Sequence, residues 1–290
     1  MRLTARSNIG MLGNAVIALV CVFAASVGHS QDVAMDGTRE TGNRSDNWLP
    51  FVAAEVSIHV QEFRATGATT FGAVHGGTNT LSNLMFRAEA GVASPEIDII
   101  PGHPRLALRG GISTPLRETS TVTSSQAVVD DLELGTELFV SWRSMWHAGI
   151  DLRFDLSIAD HIVSIQPGIE YLGSRLRYEP SFTFRAQPGS DAAQQTPNPF
   201  NPPRIPFDGR SSPHVYHFVG PSLSIEVGMT KVKMITLSAF LSSRLYWLVG
   251  DRDIQVDFSQ DLLGNLESGT GRLESNFLAG QVGFGIRGSF

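Results

Sequence analysis

The sequence predicts an all-β fold: a closed antiparallel transmembrane β-barrel, most simply of eight strands, with long extracellular loops and short periplasmic turns. Three observations lead to this prediction. The N-terminus has the layout of an export signal, eight later segments alternate apolar and polar residues, and the connections between those segments are alternately long and short. A mean hydropathy of +0.00 argues against a bundle of membrane-spanning helices.

The export signal lies at the start of the chain. Arg2 and Arg6 precede an uncharged run from Ser7 to Ser30, and small residues stand before a possible cleavage site at Gln31. This layout predicts a secretory signal peptide over residues 1–30, with an uncleaved transmembrane anchor as the alternative.

Two further parts follow the signal peptide. Residues 31–47 are polar and lack periodicity, which predicts a disordered periplasmic lead-in, and residues 48–290 form the predicted barrel. We expect the exported chain in the bacterial cell outer membrane. The single cysteine, Cys21, lies within the signal peptide, so the mature part has no disulfide and no thiol ligand.

Net charge argues against one class of partner. Removing the signal peptide takes two arginines from the 22 basic residues and none of the 28 acidic ones, which leaves 20 against 28. Nucleic acid is therefore not expected as a partner, because neutralising phosphates requires a basic surface.

The first four strands are predicted from apolar residues at alternate positions. Their apolar faces run from Val52 to Val60, from Leu84 to Val92, from Leu106 to Ile112 and from Ala148 to Ile158. The phase of the fourth face extends back through Leu138, Val140, Trp142 and Trp146. This strand is therefore expected to project beyond the bilayer with the same face outward.

The last four strands show the same alternation. Their apolar faces run from Val163 to Tyr171, from Val219 to Val227, from Ile235 to Trp247 and from Leu278 to Phe290. Pro167 and Pro221 fall inside two of these segments, where each removes a hydrogen-bond donor from the ladder, so we expect bulges there, with a locally different strand register as the alternative.

The distribution of charge favours a membrane barrel over a soluble sandwich. None of the eight apolar faces carries a charged residue, and a lipid-facing charge costs about 2–4 kcal/mol near the bilayer midplane. The opposite faces carry six arginines and six acids, and these predict an interior ion-pair network: Glu55, Arg87, Glu89, Arg105, Arg109, Asp151, Arg153, Asp155, Glu170, Glu226, Arg244 and Arg287. Such a balanced set is expected to plug a narrow lumen, with a continuous channel as the alternative.

The connections define the predicted topology. Segments 64–82, 114–135, 179–214 and 249–273 are expected as loops on one side, and short turns near 159–161 and 230–233 on the other. A further hairpin within 114–146 would make ten strands. In the proline-rich third loop, three residues either anchor a partner or fold back on the strands: Phe200, Ile205 and Phe207.

The last strand, LAGQVGFGIRGSF, ends in phenylalanine and has apolar residues at alternate positions before it: Val282, Phe284, Ile286 and Phe290. It resembles the C-terminal signature of bacterial outer-membrane proteins, and with the signal peptide and eight strands the chain resembles the OmpA/OmpX class of small barrels. This resemblance implies recognition by the barrel-assembly machinery during biogenesis. It also implies contact with outer-membrane lipid and lipopolysaccharide.

The predicted function is a non-enzymatic barrel that contributes to envelope integrity and presents surface loops to a ligand that the sequence does not identify. A narrow porin-like channel for ions or small hydrophobic solutes is the alternative, and a lipid-modifying enzyme is the third possibility. Glu55, Ser57 and His59 share one face of the first strand, where they are expected to belong to the interior polar network rather than to a catalytic site. Because the sequence contains no phosphate loop, nucleotide fingerprint or metal-ligand spacing, we predict no cofactor and no metal.

Overall fold

The computed structural model describes residues 47–70, 74–129, 131–158, 161–194, 196–232, 234–262 and 265–290. The predicted signal peptide, nearly all of the predicted lead-in and most of the predicted turn at 159–161 lie outside these ranges. The described residues up to Leu156 and from Ile162 onward form one compact unit.

Antiparallel strands make up most of the described part. In chain order the elements are β1 (Leu49–Thr69), β2 (Val74–Glu96), β3 (Arg105–Pro115), β4 (Thr119–Val129), β5 (Leu132–Ile158), β6 (His161–Ala186), α1 (Asp191–Gln194), β7 (Ile205–Asp208), β8 (His214–Val232), β9 (Ile235–Val249), β10 (Asp253–Leu262) and β11 (Asn265–Ser289). No helix among the described residues is long and apolar enough to cross a membrane.

Eight of these strands form a closed ring in the order β1, β2, β3, β5, β6, β8, β9 and β11. The first and last strands close it, with pairs from Phe51↔Ser289 to Thr69↔Gly269 and one register shift between Gln61 and Phe63. The predicted eight-stranded antiparallel barrel is therefore confirmed. The extra strands β4, β7 and β10 pair with β5, β6 and β11 and prolong the wall instead of widening the ring to ten.

The outer wall of the ring carries an apolar belt. Val56 on β1, Ile150 on β5, Ile169 on β6 and Phe284 on β11 are exposed, whereas polar sequence neighbours of the first three, such as Glu55, Asp151 and Glu170, are buried in the lumen. Ile169 is 64% exposed although it lies in the middle of its strand. A continuous apolar surface of this kind is stable against lipid and unfavourable against water, so the barrel is a transmembrane one.

Three of the four predicted long loops are wrong, because most residues of 64–82, 114–135 and 249–273 are strand, whereas the third predicted loop keeps a long stretch outside the strands at 187–194 and 196–204. Residues 64–69 and 74–82 continue β1 and β2, and the segments 114–135, 179–214 and 249–273 contain β4, β7 and β10 with the strands that pair with them. These parts, which lie beyond the apolar belt, are called the extension. In it, four hairpins are formed by β1–β2, β4–β5, β6–β7 and β10–β11.

The extension has its apolar residues inside. On β1 the inward side chains change from Glu55 and Gln61 to Phe63 and Ala65, both fully buried, without a change in which positions face inward. Water replaces lipid outside the wall at this height, so burying apolar side chains in the interior becomes favourable. One strand therefore carries two opposite hydrophobic patterns.

On β5 this inversion contradicts the predicted phase. Leu138, Val140 and Trp142 are buried in the core of the extension, whereas Trp146 is exposed on the outer wall. The prediction that all four share the outward face is wrong. Trp142 and Trp146 lie four positions apart yet face opposite ways, so the strand alternation is interrupted between them.

The ladder between β6 and β8 has no bulge at Pro167 or Pro221. The β6–β8 register runs unbroken from Val163↔Val227 to Leu176↔His214 through both prolines. Both side chains lie on the outer wall.

Candidate functional site

The barrel lumen is the candidate site, because inward side chains from all eight ring strands meet there. Near the chain termini it holds a buried network of arginines and carboxylates. The members come from every ring strand: Glu55 from β1, Arg87 and Glu89 from β2, Arg109 from β3, Asp151 and Arg153 from β5, Glu170 from β6, Glu226 from β8, Arg244 from β9 and Arg287 from β11. Successive side chains of a strand point to opposite faces, and each of these residues alternates along its strand with the outward residues of the apolar belt. Each therefore points into the lumen.

Glu170 is the centre of this network and is fully buried. Arg87 donates to both of its carboxylate oxygens, from Nη1 to Oε1 at 2.8 Å and from Nη2 to Oε2 at 2.7 Å. Arg109 Nη1 also donates to Oε2, as does Arg244 Nε at 3.2 Å. Tyr246 Oη donates to Oε1 at 2.5 Å. One carboxylate therefore faces three guanidinium groups and a phenol.

Glu226 forms a second centre. Arg287 Nη1 and Gln166 Nε2 donate to its Oε2 at 2.6 and 2.7 Å, and Ser238 Oγ donates to Oε1 at 2.6 Å. Arg153 Nη1 lies 3.4 Å from the same Oε1. The hydrogen-bonding capacity of this buried carboxylate is thus well used.

Glu89 joins the two centres. Its Oε1 accepts a hydrogen bond from Arg287 Nη2 at 3.2 Å, and its Oε2 accepts from Arg87 Nη2 and Arg109 Nη1 at 3.2 and 3.3 Å. His147 Nε2 lies 3.6 Å from Oε2, beyond hydrogen-bond distance. The two clusters therefore form one continuous network.

Two paired contacts complete the charge balance. Arg244 donates to both oxygens of Glu55 at 2.7 and 2.8 Å. Arg109 donates to both oxygens of Asp151, from Nε at 2.5 Å and from Nη2 at 3.2 Å. The buried part of the network therefore contains five arginines (87, 109, 153, 244 and 287) and five carboxylates (55, 89, 151, 170 and 226) and is neutral overall, while Asp155, which Arg153 also contacts, lies at the exposed rim. Neutrality and bidentate geometry are what allow so many charges to be buried.

Two of the predicted network residues lie at the rim instead. Arg105 Nη2 lies 3.2 Å from Glu96 Oε1, and its Nη1 donates to the backbone oxygen of Ser94 at 3.2 Å. Asp155 is partly exposed and accepts a hydrogen bond from Arg153 at 2.9 Å. Both residues are close to the base of the barrel, where Arg105 is itself buried but its partner Glu96 and Asp155 are each 39% exposed.

Uncharged residues that charge counting did not select also belong to the site. Tyr246, Gln166 and Ser238 donate directly to the buried carboxylates described above, and Ser222 Oγ donates to Asp151 at 3.1 Å. Their inward positions in the alternating pattern were the available signal, since polar residues there face the lumen.

Above the charged network lies a layer of uncharged polar side chains. Gln281 Nε2 donates to Ser57 Oγ at 2.6 Å, and Gln61 Nε2 donates to Ser275 Oγ at 2.7 Å. His59 Nε2 lies 3.3 Å from Gln61 Oε1, with the tautomer unassigned. This layer separates the ion pairs from the apolar core of the extension.

The apolar core fills the space above this layer. Trp142 packs edge-on against His59 and Phe63, with ring centroids 5.7 and 5.8 Å away, and its Nε1 donates to Ser120 Oγ at 3.2 Å. Further buried members of this cluster are Leu138, Val140, Met145, Leu172, Leu176, Tyr178, Tyr216, Phe218 and Leu273. The lumen is therefore occupied by three successive layers, which are charged, polar and apolar.

Tyr178 shows how dry the apolar layer is. Its side chain is buried, and its Oη donates to the backbone oxygen of Thr66 at 2.9 Å. Burial raises the pKa of the Tyr178 phenol well above its ordinary value.

A second apolar cluster closes the far end of the extension. Phe182, Phe184 and Phe207 are buried together, and Phe258 packs against Phe207 in a tilted arrangement with centroids 4.8 Å apart. Ile205 packs against the same cluster, whereas Phe200 is 87% exposed. Of the two predicted roles for the third loop, Ile205 and Phe207 take the fold-back role.

The first-strand residues considered for catalysis do not form a nucleophile–base pair. Ser57 Oγ accepts from Gln281, His59 faces Gln61, and both oxygens of Glu55 are bound by Arg244. All three side chains are buried in the lumen. Among the described residues, no group of three or more His, Cys, Asp or Glu side chains could hold a metal ion.

The predicted assembly signal lies on the outer wall. On β11, Phe284 and Ile286 are exposed, Val282 is half-buried, and Phe290 N donates to the backbone oxygen of Pro50 at 3.0 Å. The pattern in the last strand therefore coincides with the apolar belt. Its recognition by the assembly machinery stays a prediction.

Neither a family model nor a curated protein matches the sequence. Similar solved structures include Neisserial surface protein A (11% identity, 80% of this chain and 95% of that chain covered, TM-score 0.27) and the outer membrane protease OmpT from Escherichia coli (9% identity, 87% and 99% covered, TM-score 0.29). A third is Ail, the attachment invasion locus protein of Yersinia pestis (10% identity, 80% and 97% covered, TM-score 0.17). These values are too low to transfer any function. The fold assignment depends on the strand ring of this chain itself.

Proposed function

We propose that the protein is a sealed outer-membrane β-barrel that anchors a rigid extracellular extension, contributes to envelope integrity and presents a surface for interaction, without enzymatic activity. The observation that carries this proposal is the filled lumen. Charged, polar and apolar layers lie one above the other along it, and the side chains of each layer contact one another directly.

The cavity in the charged layer is too small for a solute larger than water. A cavity of about 10 Å³ among Glu89, Arg109, Asp151, Arg244 and Arg287 has room for about one water molecule. An eight-stranded barrel is just wide enough for its own side chains. These features favour a closed barrel over the porin-like alternative.

The extension favours a role at the cell surface. From Trp146 to Leu132, β5 rises about 35 Å above the belt, at about 3.3 Å per residue and a tilt of about 40°. Its own apolar core makes it a rigid structure rather than a set of mobile loops. Phe200 and Leu266, which are 87% and 78% exposed, are apolar side chains available to a partner.

Conductance measurements test the sealed lumen. The mature chain, refolded and inserted in a planar bilayer, is expected to show no stable openings, because side chains of the described residues fill the lumen in three successive layers. A porin in the same bilayer serves as the positive control, and a cold-versus-boiled gel shift verifies folding. Reproducible openings whose size changes in an Arg109→Gln variant would overturn the proposal and make transport the working function.

Cysteine labelling tests the proposed orientation. In a Cys21→Ser background, Phe200→Cys is expected to react with a membrane-impermeant maleimide on intact cells, because Phe200 is exposed in the extension. Ile99→Cys is the matched control, since Ile99 is 91% exposed in the β2–β3 connection at the opposite end. It should react only after the outer membrane is permeabilised. The reverse pattern would invert the topology.

A further inference from the structure

Four arginines lie close together on the outer face of the wall, directly above the apolar belt: Arg117, Arg143, Arg175 and Arg177, here called the arginine row. On β6, Gly173 lies against the ring of Trp146. Arg175 is two residues beyond Gly173, and Arg143 is three residues beyond Trp146 on the paired strand β5. The two guanidinium groups therefore extend from neighbouring positions.

The other two arginines extend the row on both sides. Glu118 O accepts a hydrogen bond from Trp142 N at 2.6 Å, which places Arg117 beside Arg143. Arg177 is the next residue after Arg175 on the outward face of β6. The row thus begins in the connection between β3 and β4, continues on β5 and ends on β6.

None of these four side chains has an ion-pair or hydrogen-bond partner among the described residues, and Arg177 Nε is buried without one. The nearby carboxylates do not neutralise them. Glu179 binds Arg210 at 3.1 Å, and Glu118 is exposed and forms no ion pair with any described arginine. Like charges on adjacent strands destabilise a sheet, so an external anion bound between these arginines would stabilise the arrangement.

The height of the row indicates which anion is present. Trp146, Tyr171 and Trp247 mark the upper edge of the belt, where aromatic side chains are typical of the membrane interface. Arg143 lies three residues above Trp146, which is about 8 Å at the usual rise and tilt. That is the depth of lipid headgroups, just outside the hydrocarbon core.

We propose that the arginine row binds the phosphate groups of a phosphorylated glycolipid in the outer leaflet. Guanidinium groups bind phosphate in bidentate geometry, and the belt below them would contact the acyl chains of the same lipid. Free phosphate would contact only the guanidinium groups and not the apolar belt. The inference depends on the outer-membrane placement proposed above, which the cysteine labelling tests independently of lipid binding.

Native mass spectrometry of the refolded protein in detergent tests this, with bisphosphorylated lipid A and its dephosphorylated form as probes. The wild type is expected to bind the phosphorylated lipid more tightly. Arg143→Gln/Arg175→Gln should weaken that binding about tenfold or more, the effect of losing two charge-assisted contacts. Arg64→Gln/Arg204→Gln is the matched control, since both residues are exposed arginines outside the row.

Three outcomes would overturn the proposal. Equal binding of both lipid forms would assign the contact to acyl chains alone, and equal loss in both double variants would indicate a non-specific charge effect. Displacement of lipid A by millimolar inorganic phosphate would assign the row to free phosphate. Because none of the four substituted arginines has a side-chain partner among the described residues, both double variants should still fold, and the gel shift verifies this. If labelling succeeded and lipid binding failed, only the arginine-row proposal would be wrong.

Discussion

Replacing Glu170 by glutamine is expected to lower the free energy of unfolding of the barrel by about 3–5 kcal/mol, the usual cost of removing one partner from a buried charge network. Glutamine keeps the shape of the side chain and removes its charge. Arg87, Arg109 and Arg244 would then remain buried with one carboxylate fewer. Urea unfolding in lipid vesicles, followed by the cold-versus-boiled gel shift, measures the change.

Glu179→Gln is the matched control for this prediction. Glu179 lies on the same strand, nine residues further along, and pairs with an exposed Arg210 at 3.1 Å. An exposed pair of this kind contributes about 1 kcal/mol or less. Equal destabilisation by the two substitutions would mean that water reaches Glu170, and the sealed-lumen proposal would lose its main support.

The second large effect is expected for Trp142→Ala, with a loss of about 3–5 kcal/mol in unfolding free energy. The indole is 1% exposed, packs against Phe63 and His59 and donates to Ser120. Truncation removes this packing and leaves a cavity in the core of the extension. The same urea titration measures the loss, and faster trypsin cleavage of the extension should accompany it.

Trp146→Ala, four residues away on β5, separates burial from residue type. Its ring is 38% exposed on the outer wall, where lipid or detergent chains can occupy the space that the ring leaves. The expected loss is about half that of Trp142→Ala or less, because the cavity contribution is absent. If Trp146→Ala were the more damaging substitution, Trp142 would be the outward residue and the phase on β5 would follow the sequence prediction after all.

The sequence predicted the ring because the membrane imposes one rule on every strand. Within the apolar belt, successive residues of a strand face lipid and lumen alternately, as Val56 and Phe284 show on the lipid side. A charged side chain on the lipid side is energetically costly. That rule alone identified eight strands, their alternation and the inward direction of residues such as Glu170. It required no knowledge of which strands are neighbours.

The extension was mispredicted because the same rule ends at the membrane surface. Above the belt, water lies outside the wall, so the apolar side inverts, and a single pattern continued along β5 placed Trp142 on the wrong face. Segments such as 249–273 then lacked the expected lipid-facing stripe and were interpreted as loops. Their strands are stabilised by a core shared between hairpins, which alternation within one segment does not reveal.

What the sequence by itself determined is therefore the barrel wall: strand number, inward and outward faces, and a balanced set of interior charges. Only the tertiary structure decided the partners. Arg244 meets Glu55 across 189 positions of sequence, and Arg287 meets Glu89 across 198. Such pairs form because ring closure brings β11 to β1 and the narrow lumen forces opposite walls into contact. The alternation of residues along a strand is local information, whereas the pairing of charges across a closed lumen depends on all eight strands together.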